Sequence, residues 1–206
     1  MSGPVAADWR QVLQEIWIEG QHLSAVGPGD VTVHLDHAAR LAELLDPPTT
    51  AVDLGSGAGI PGLALAGLWP ASRWILLDAA QRRTRLLERA VERLGWDDRV
   101  RVVHGRAEDL GRDPSHRGHH ELVTARLFGP PAAAAECGAP LLRVGGILAV
   151  TEPPDPAPGR WPADALVPLG LEPLEPAAGL QRFRAVGAPE ARFPRKPGVP
   201  VRRPLF

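Results

Sequence analysis

The chain holds one cysteine and no tyrosine in 206 residues, aromatic residues are 5% of it, and its formal net charge is −1. A single thiol, Cys137, cannot build an internal disulfide framework and fits a reducing compartment, so a cytoplasmic protein is expected. Near-balanced charge gives no global pull towards nucleic acid or a membrane surface. No run is long and apolar enough to cross a bilayer, and no signal-peptide pattern is expected at the start. Proline (23) and glycine (22) are abundant instead. At such levels they can indicate disorder, but apolar periodicity persists along most of the chain. Its length suits a sizeable core in one compact unit, expected to be a monomer.

Trp9, Val12, Leu13, Ile16 and Trp17 recur at helical spacing, which predicts a helix over 8–23. A second is expected over 33–45, after Gly27-Pro28-Gly29 and before Pro47-Pro48. Together they form an expected N-terminal helical cap, residues 1–48. Strands are then expected at 50–54, 73–78, 100–104, 121–125, 145–151, 164–169 and 181–187, with helices at 61–68, 80–94 and 131–142. Apolar strands alternating with amphipathic helices predict an α/β domain over 49–206, with a mostly parallel seven-stranded sheet covered on both faces.

The segment Asp53-Leu54-Gly55-Ser56-Gly57-Ala58-Gly59-Ile60-Pro61-Gly62 sits between an expected strand and an expected helix. It satisfies two glycine patterns. Gly57, Gly59 and Gly62 fit the G-x-G-x-x-G dinucleotide turn, whereas Asp53, Gly55, Gly57 and Gly59 fit the D-x-G-x-G-x-G turn of enzymes that bind S-adenosylmethionine. Counted from Gly55, the strand ends where it should and carries an acid. That acid suits a cationic sulfonium and would repel a pyrophosphate. The donor reading is therefore favoured over the dinucleotide one and over a purely structural turn, with Asp53, Gly55, Ser56, Gly57 and Gly59 as candidate contacts. Asp78, at the tip of the second strand, can accept both ribose hydroxyls of a nucleoside or simply cap the helix that follows; beside the glycine turn the ribose role is favoured, and Asp78 joins the candidate cofactor contacts.

Beyond these residues the chain resembles the RsmG (GidB) type of bacterial small-subunit ribosomal RNA methyltransferase, which acts on guanine N7. The resemblance rests on Asp53 to Gly62 with Pro61, on Leu77-Asp78 with Gln81-Arg82-Arg83 and Leu86-Leu87, and on Gly105-Arg106-Ala107-Glu108-Asp109-Leu110. It extends to Thr124-Ala125-Arg126 and to Phe193-Pro194-Arg195-Lys196-Pro197-Gly198-Val199-Pro200. It implies a Rossmann-like class I fold dependent on S-adenosylmethionine. It also implies cofactor contacts at Gly55, Ile60, Ala107, Glu108 and Arg126, with Arg126 as the residue expected to be catalytic. The last 25 residues carry seven basic side chains against Glu190 alone, so Arg195, Lys196, Arg202 and Arg203 are expected to meet 16S RNA in the small subunit.

The chain also departs from the family pattern. Glu152 stands where a lysine is usual after the fifth strand, and His22-Leu23-Ser24 and Val33-His34…His37-Ala38 replace other N-terminal motifs. A divergent relative acting on a small molecule, or an RNA-binding relative without turnover, are the alternatives these raise. Other signals are read as structural. Gly129-Pro130-Pro131 lacks the acidic or amide partner of an amino-directed base methyltransferase, having Arg126 there. Cys137 falls mid-helix among alanines, and His116-Arg117-Gly118-His119-His120 has no acid pair beside it, so no metal is expected. Arg82, Arg83, Arg85, Arg89 and Arg93, with Glu88 and Glu92, form an expected ion-paired face.

Overall fold

The structure, a computed structural model, describes residues 8–206. Residues 1–7 of the expected cap, and with them the expectation about a leader, lie outside that part. The elements run α1 (Trp9–His22), α2 (Val33–Leu44), β1 (Thr50–Leu54), α3 (Gly62–Leu68), β2 (Arg73–Asp78), α4 (Gln81–Leu94), β3 (Val100–His104), α5 (Ala107–Leu110), β4 (His120–Ala125), α6 (Pro131–Gly138), β5 (Leu142–Thr151), α7 (Ala163–Leu166), β6 (Leu171–Pro173), β7 (Leu180–Ala185) and α8 (Val199–Arg202).

Seven strands form one sheet in the order β3-β2-β1-β4-β5-β7-β6. β1 to β5 run parallel, and β7 lies antiparallel between β5 and β6. The central strands are buried along nearly their whole length, as parallel strands covered on both faces must be. Side chains alternate between the two faces, so neighbours in sequence serve different cores. Leu76 packs with Leu13, Trp17, Leu65 and Leu86 beneath α1 to α4, whereas Leu77 packs with Val123, Leu141, Leu148 and Phe183 on the other face. Strand order reverses between β1 and β4. In open sheets the crevice at such a reversal, beyond the carboxyl ends of the strands, is where ligands sit.

Local signals place the helices. Asp8 accepts from the Arg10 N–H at 3.0 Å and caps α1. Gly95 ends α4 in the left-handed conformation. Arg89 and Arg93 of α4 pair with Glu19 and Glu15 of α1, so part of the expected ion-paired face staples the two helices together.

Three expected elements differ. The stretch 164–169 is not a strand: α7 and a 3-10 turn, Val167–Leu169, occupy it, and the short β6 follows. Pro162 opens the helical turn, Pro168 removes a ladder donor, and Gly170 turns the chain with φ 66°. The expected helix over 131–142 stops at Gly138 because Pro140 tightens the next turn into a 3-10 segment. β5 correspondingly begins at Leu142 rather than 145, with a register irregularity opposite β4. No helix of the described residues is long and apolar enough to cross a membrane.

Candidate functional site

Two hollows flank the turn after β1, at the point of strand reversal. One, of about 200 Å³, is lined by Gly55, Asp78, Arg83, Ala107, Glu108 and Phe128 among others. The other, of about 160 Å³, is lined by His34, Gly55, Ser56, Gly57, Ile60 and Arg126 among others. They meet at Gly55, Arg83 and Leu127 and form one cleft. A larger hollow of about 700 Å³ lies at the opposite, amino ends of β1 to β3, beside His116, His119 and His120, and shares no residue with the cleft.

The turn is held open by conformations only glycine adopts readily. Gly55, Gly57 and Gly59 have φ values of 65°, 60° and 83°. A Cβ on Gly55 would also fall 3.0 Å from the Phe128 ring, so the bare backbone is what leaves the cleft its floor. Gly59 shapes the turn without lining either hollow. Ser56 turns inward, its hydroxyl donating to the Asp53 carbonyl at 3.0 Å.

The two acids take parts the sequence did not distinguish. Asp53, expected to face the cationic donor, points beneath the turn. Its Oδ1 accepts from the Thr124 hydroxyl at 2.7 Å and its Oδ2 from the Gly62 N–H at 3.2 Å. Burial lifts its pKa to about 6 against these hydrogen bonds. Alternation along β1 explains the direction: Val52 and Leu54 face one core, so Asp53 faces the other with Ala51. Asp53 therefore ties β1, α3 and β4 together and lines neither hollow. Asp78 does line the cleft. Its Oδ2 accepts from Gly57 N–H at 2.9 Å and its Oδ1 from Ala80 N–H at 2.8 Å, so the carboxylate steadies the turn, heads α4 and still presents free lone pairs.

Ala107 and Glu108 open α5 on the far side of the cleft. The buried Glu108 carboxylate accepts from the Gly198 N–H at 2.7 Å, which draws the C-terminal tail across, and Val201 of that tail lines the same hollow. Arg126 follows β4 and lines both the cleft and a third hollow of about 390 Å³ between the ends of β4 and β5. Burial lowers its pKa, and Asp53 opposes that shift. Arg126 has no ion-pair partner among the described residues.

Of the expected RNA contacts, Lys196, Arg202 and Arg203 are exposed. Arg195 is not available. Its guanidinium bonds the fully buried Glu136 carboxylate, with Nη2 2.6 Å from Oε2, and also the Arg203 carbonyl at 2.8 Å. A buried acid needs a cation, and that need outranks a solvent-facing role.

Other residues of the site have roles that no motif in the sequence marks. Trp17, expected to be plain core, donates from its indole N–H to the Ala58 carbonyl at 3.0 Å and so fixes the glycine turn from α1. His34 packs edge-on against Trp17 and lines the cleft. Leu127 is 91% exposed with φ 53°, a strained conformation for a leucine, where all three hollows meet. Trp17 and His34 lie far in sequence from the glycine turn they meet, and the backbone conformation of Leu127 leaves no trace in its residue type.

Residues 21–152 match the family described as rRNA small subunit methyltransferase G. A ribosomal RNA small subunit methyltransferase G from Symbiobacterium thermophilum is 35% identical over 208 residues, covering 92% of this chain and 85% of the relative. One from Chloroflexus aggregans is 33% identical over 214 residues, covering 97% and 90%. Among solved structures, a methyltransferase from Geobacter sulfurreducens superposes with a TM-score of 0.58 at 15% identity, covering 89% of this chain and 91% of that one. A cyclase, SpnF, superposes at 0.59 with 23% identity, covering 85% and 77%. Since one fold serves a cyclase as well as methyltransferases, these superpositions establish architecture alone.

Proposed function

Because this chain belongs to the rRNA small subunit methyltransferase G family, we propose that it moves a methyl group from S-adenosylmethionine to guanine N7 of small-subunit rRNA. In this reading it works as a cytoplasmic monomer on 16S RNA in the small subunit. The observation that carries the reading is Arg126, a wall common to the cleft and to the hollow between β4 and β5. A donor in one and an acceptor in the other would be neighbours there.

The chain's residues fit the donor. Gly55 leaves a floor that a side chain would fill, Asp78 offers acceptors to ribose hydroxyls, and Ile60 gives an apolar wall. Ala107 and Glu108 line the same hollow, where their peptide can offer a donor and an acceptor to the adenine edge. Bound there, S-adenosylmethionine supplies an electrophilic methyl on a cationic sulfur. Guanine N7 holds an in-plane lone pair and carries no proton, so no side chain need act as general base. What the protein contributes is alignment and exclusion of water. Arg126 is suited to hold an anion at the junction, either the donor's carboxylate or a target phosphate.

The test is to incubate the protein with methyl-labelled donor and small subunits that lack the modification, then digest the RNA. Label in 7-methylguanosine is expected. Label in another nucleoside, in a small metabolite only, or nowhere would overturn the proposal.

A further inference from the structure

The hollow between β4 and β5 has two unlike walls. Arg126, Leu127 and Phe128 form the side shared with the cleft, while Thr151, Glu152 and Arg160 come from the β5 end. Glu152 is the first residue beyond β5, and its side chain is only 6% exposed. Trp161 donates from its indole N–H to Glu152 Oε1 at 3.0 Å. Arg160 Nε lies 2.8 Å from Oε2, outside the alignment of a hydrogen bond. Trp161 is itself wedged between Phe183 and Phe206, with ring centroids 4.6 and 6.2 Å away. The carboxylate is thus fixed in place as an ion pair with Arg160: Oε1 keeps a second lone pair, and Oε2 is buried with no hydrogen-bond donor aligned on it.

We propose that Glu152 reads the Watson–Crick edge of the acceptor guanine, an inference that rests on the function proposed above. Guanine alone among the bases presents two adjacent donors there, N1–H and the N2 amino group. A carboxylate accepts both at once. Adenine and cytosine present a ring-nitrogen acceptor at the corresponding place, and uracil presents a single donor flanked by two carbonyls. Shape agrees with chemistry, because N7 lies across the purine from N1 and N2. With that edge against Glu152, N7 faces the Arg126 and Leu127 wall, where the cleft begins.

The charge movement of the step is defined. As the N7–methyl bond forms, the carbon–sulfur bond breaks and its electron pair returns to sulfur. No proton leaves N7, so the positive charge passes from the sulfonium to the purine. Glu152 faces that developing cation from the far edge, with its charge shared by Arg160 and opposed by Arg126 on the N7 side. The acid that would repel a backbone phosphate in place of the family's usual lysine thereby acquires a use against a base.

The test compares the whole protein with Glu152→Gln and Glu152→Ala. Substrates are small subunits reconstituted with RNA bearing guanosine, or inosine, at the position found to be labelled. Inosine lacks the N2 amino group. The wild type should lose about 10- to 100-fold in kcat/KM on inosine, the range for stranding a buried acceptor. Both variants should be slower on guanosine and discriminate less than about threefold, with donor affinity by calorimetry unchanged. Unaltered discrimination in the variants, with 7-methylguanosine still formed by the wild type, overturns the role of Glu152 alone. Failure of the wild type to form 7-methylguanosine overturns the proposed function and this inference together.

Discussion

Arg195 and Glu136, 59 residues apart, form a bidentate ion pair inside the molecule: the guanidinium Nε lies 2.9 and 3.1 Å from the two carboxylate oxygens. The Arg195 backbone N–H adds a further bond to the same carboxylate at 2.7 Å. Through this contact the tail is seated against α6. Removing the cation strands a fully buried negative charge. Arg195→Ala should therefore destabilise the fold by about 3–5 kcal/mol in denaturant melts, the scale for breaking a buried pair. A loss below about 1 kcal/mol, typical of surface pairs, would show that the pair contributes little.

Asp53 gives the fold a pH dependence of unusual sign. Its native pKa, about 6, lies above the ordinary 3.8, so the native state holds the proton more tightly than the unfolded chain. That contribution is fully present below 3.8 and is lost as pH rises through about 6. His37 and His120 act in the opposite direction. Burial pulls both to about 4, so their contribution is complete above the ordinary 6.5 and is lost as pH falls towards 4. The gap in unfolding free energy between wild type and Asp53→Asn isolates the carboxylate. Across melts between about pH 4 and pH 7 the variant should gain on the wild type as pH rises. A gap that stays constant would assign Asp53 an ordinary pKa.

Arg126 separates activity from stability. It lines two hollows and has no ion-pair partner among the described residues. Arg126→Ala should lower kcat/KM for RNA methylation by about 100-fold or more, as loss of a preorganised charge does. Unfolding free energy should move by no more than about 0.5 kcal/mol. Activity within twofold of wild type would remove Arg126 from the reaction.

The tail's remaining cations make a prediction about salt. With Arg195 turned inward, Lys196, Arg202 and Arg203 are left to meet phosphates. Three contacts give a slope of log affinity against log salt of about −2 on single-stranded RNA and about −3 on duplex. Filter binding across a salt series measures it, and a flat response would exclude phosphate contact by the tail.

The parts of this architecture that follow local rules were legible in the sequence. Trp74-Ile75-Leu76-Leu77 between polar ends is a buried strand, and Gly55, Gly57 and Gly59 announce a turn that needs positive φ. The stretch 164–169 misled because a short apolar run does not distinguish a strand from a helical turn; Pro162 and Pro168 were the discriminating residues. The direction of Asp53 was available from strand alternation alone. The part played by Arg195 was not, since it depends on a partner brought near only by folding. A trace of it existed in Glu136, a lone acid among Ala132 to Ala135 and Cys137, which demands a counter-ion wherever that helix is buried.

The bond from Gly198 to Glu108 seats the C-terminal tail against the hollow that Gly55 and Asp78 line, with Val201 as part of its wall. A ligand that moves this strip of tail would have its affinity changed by the tail's position to the same degree.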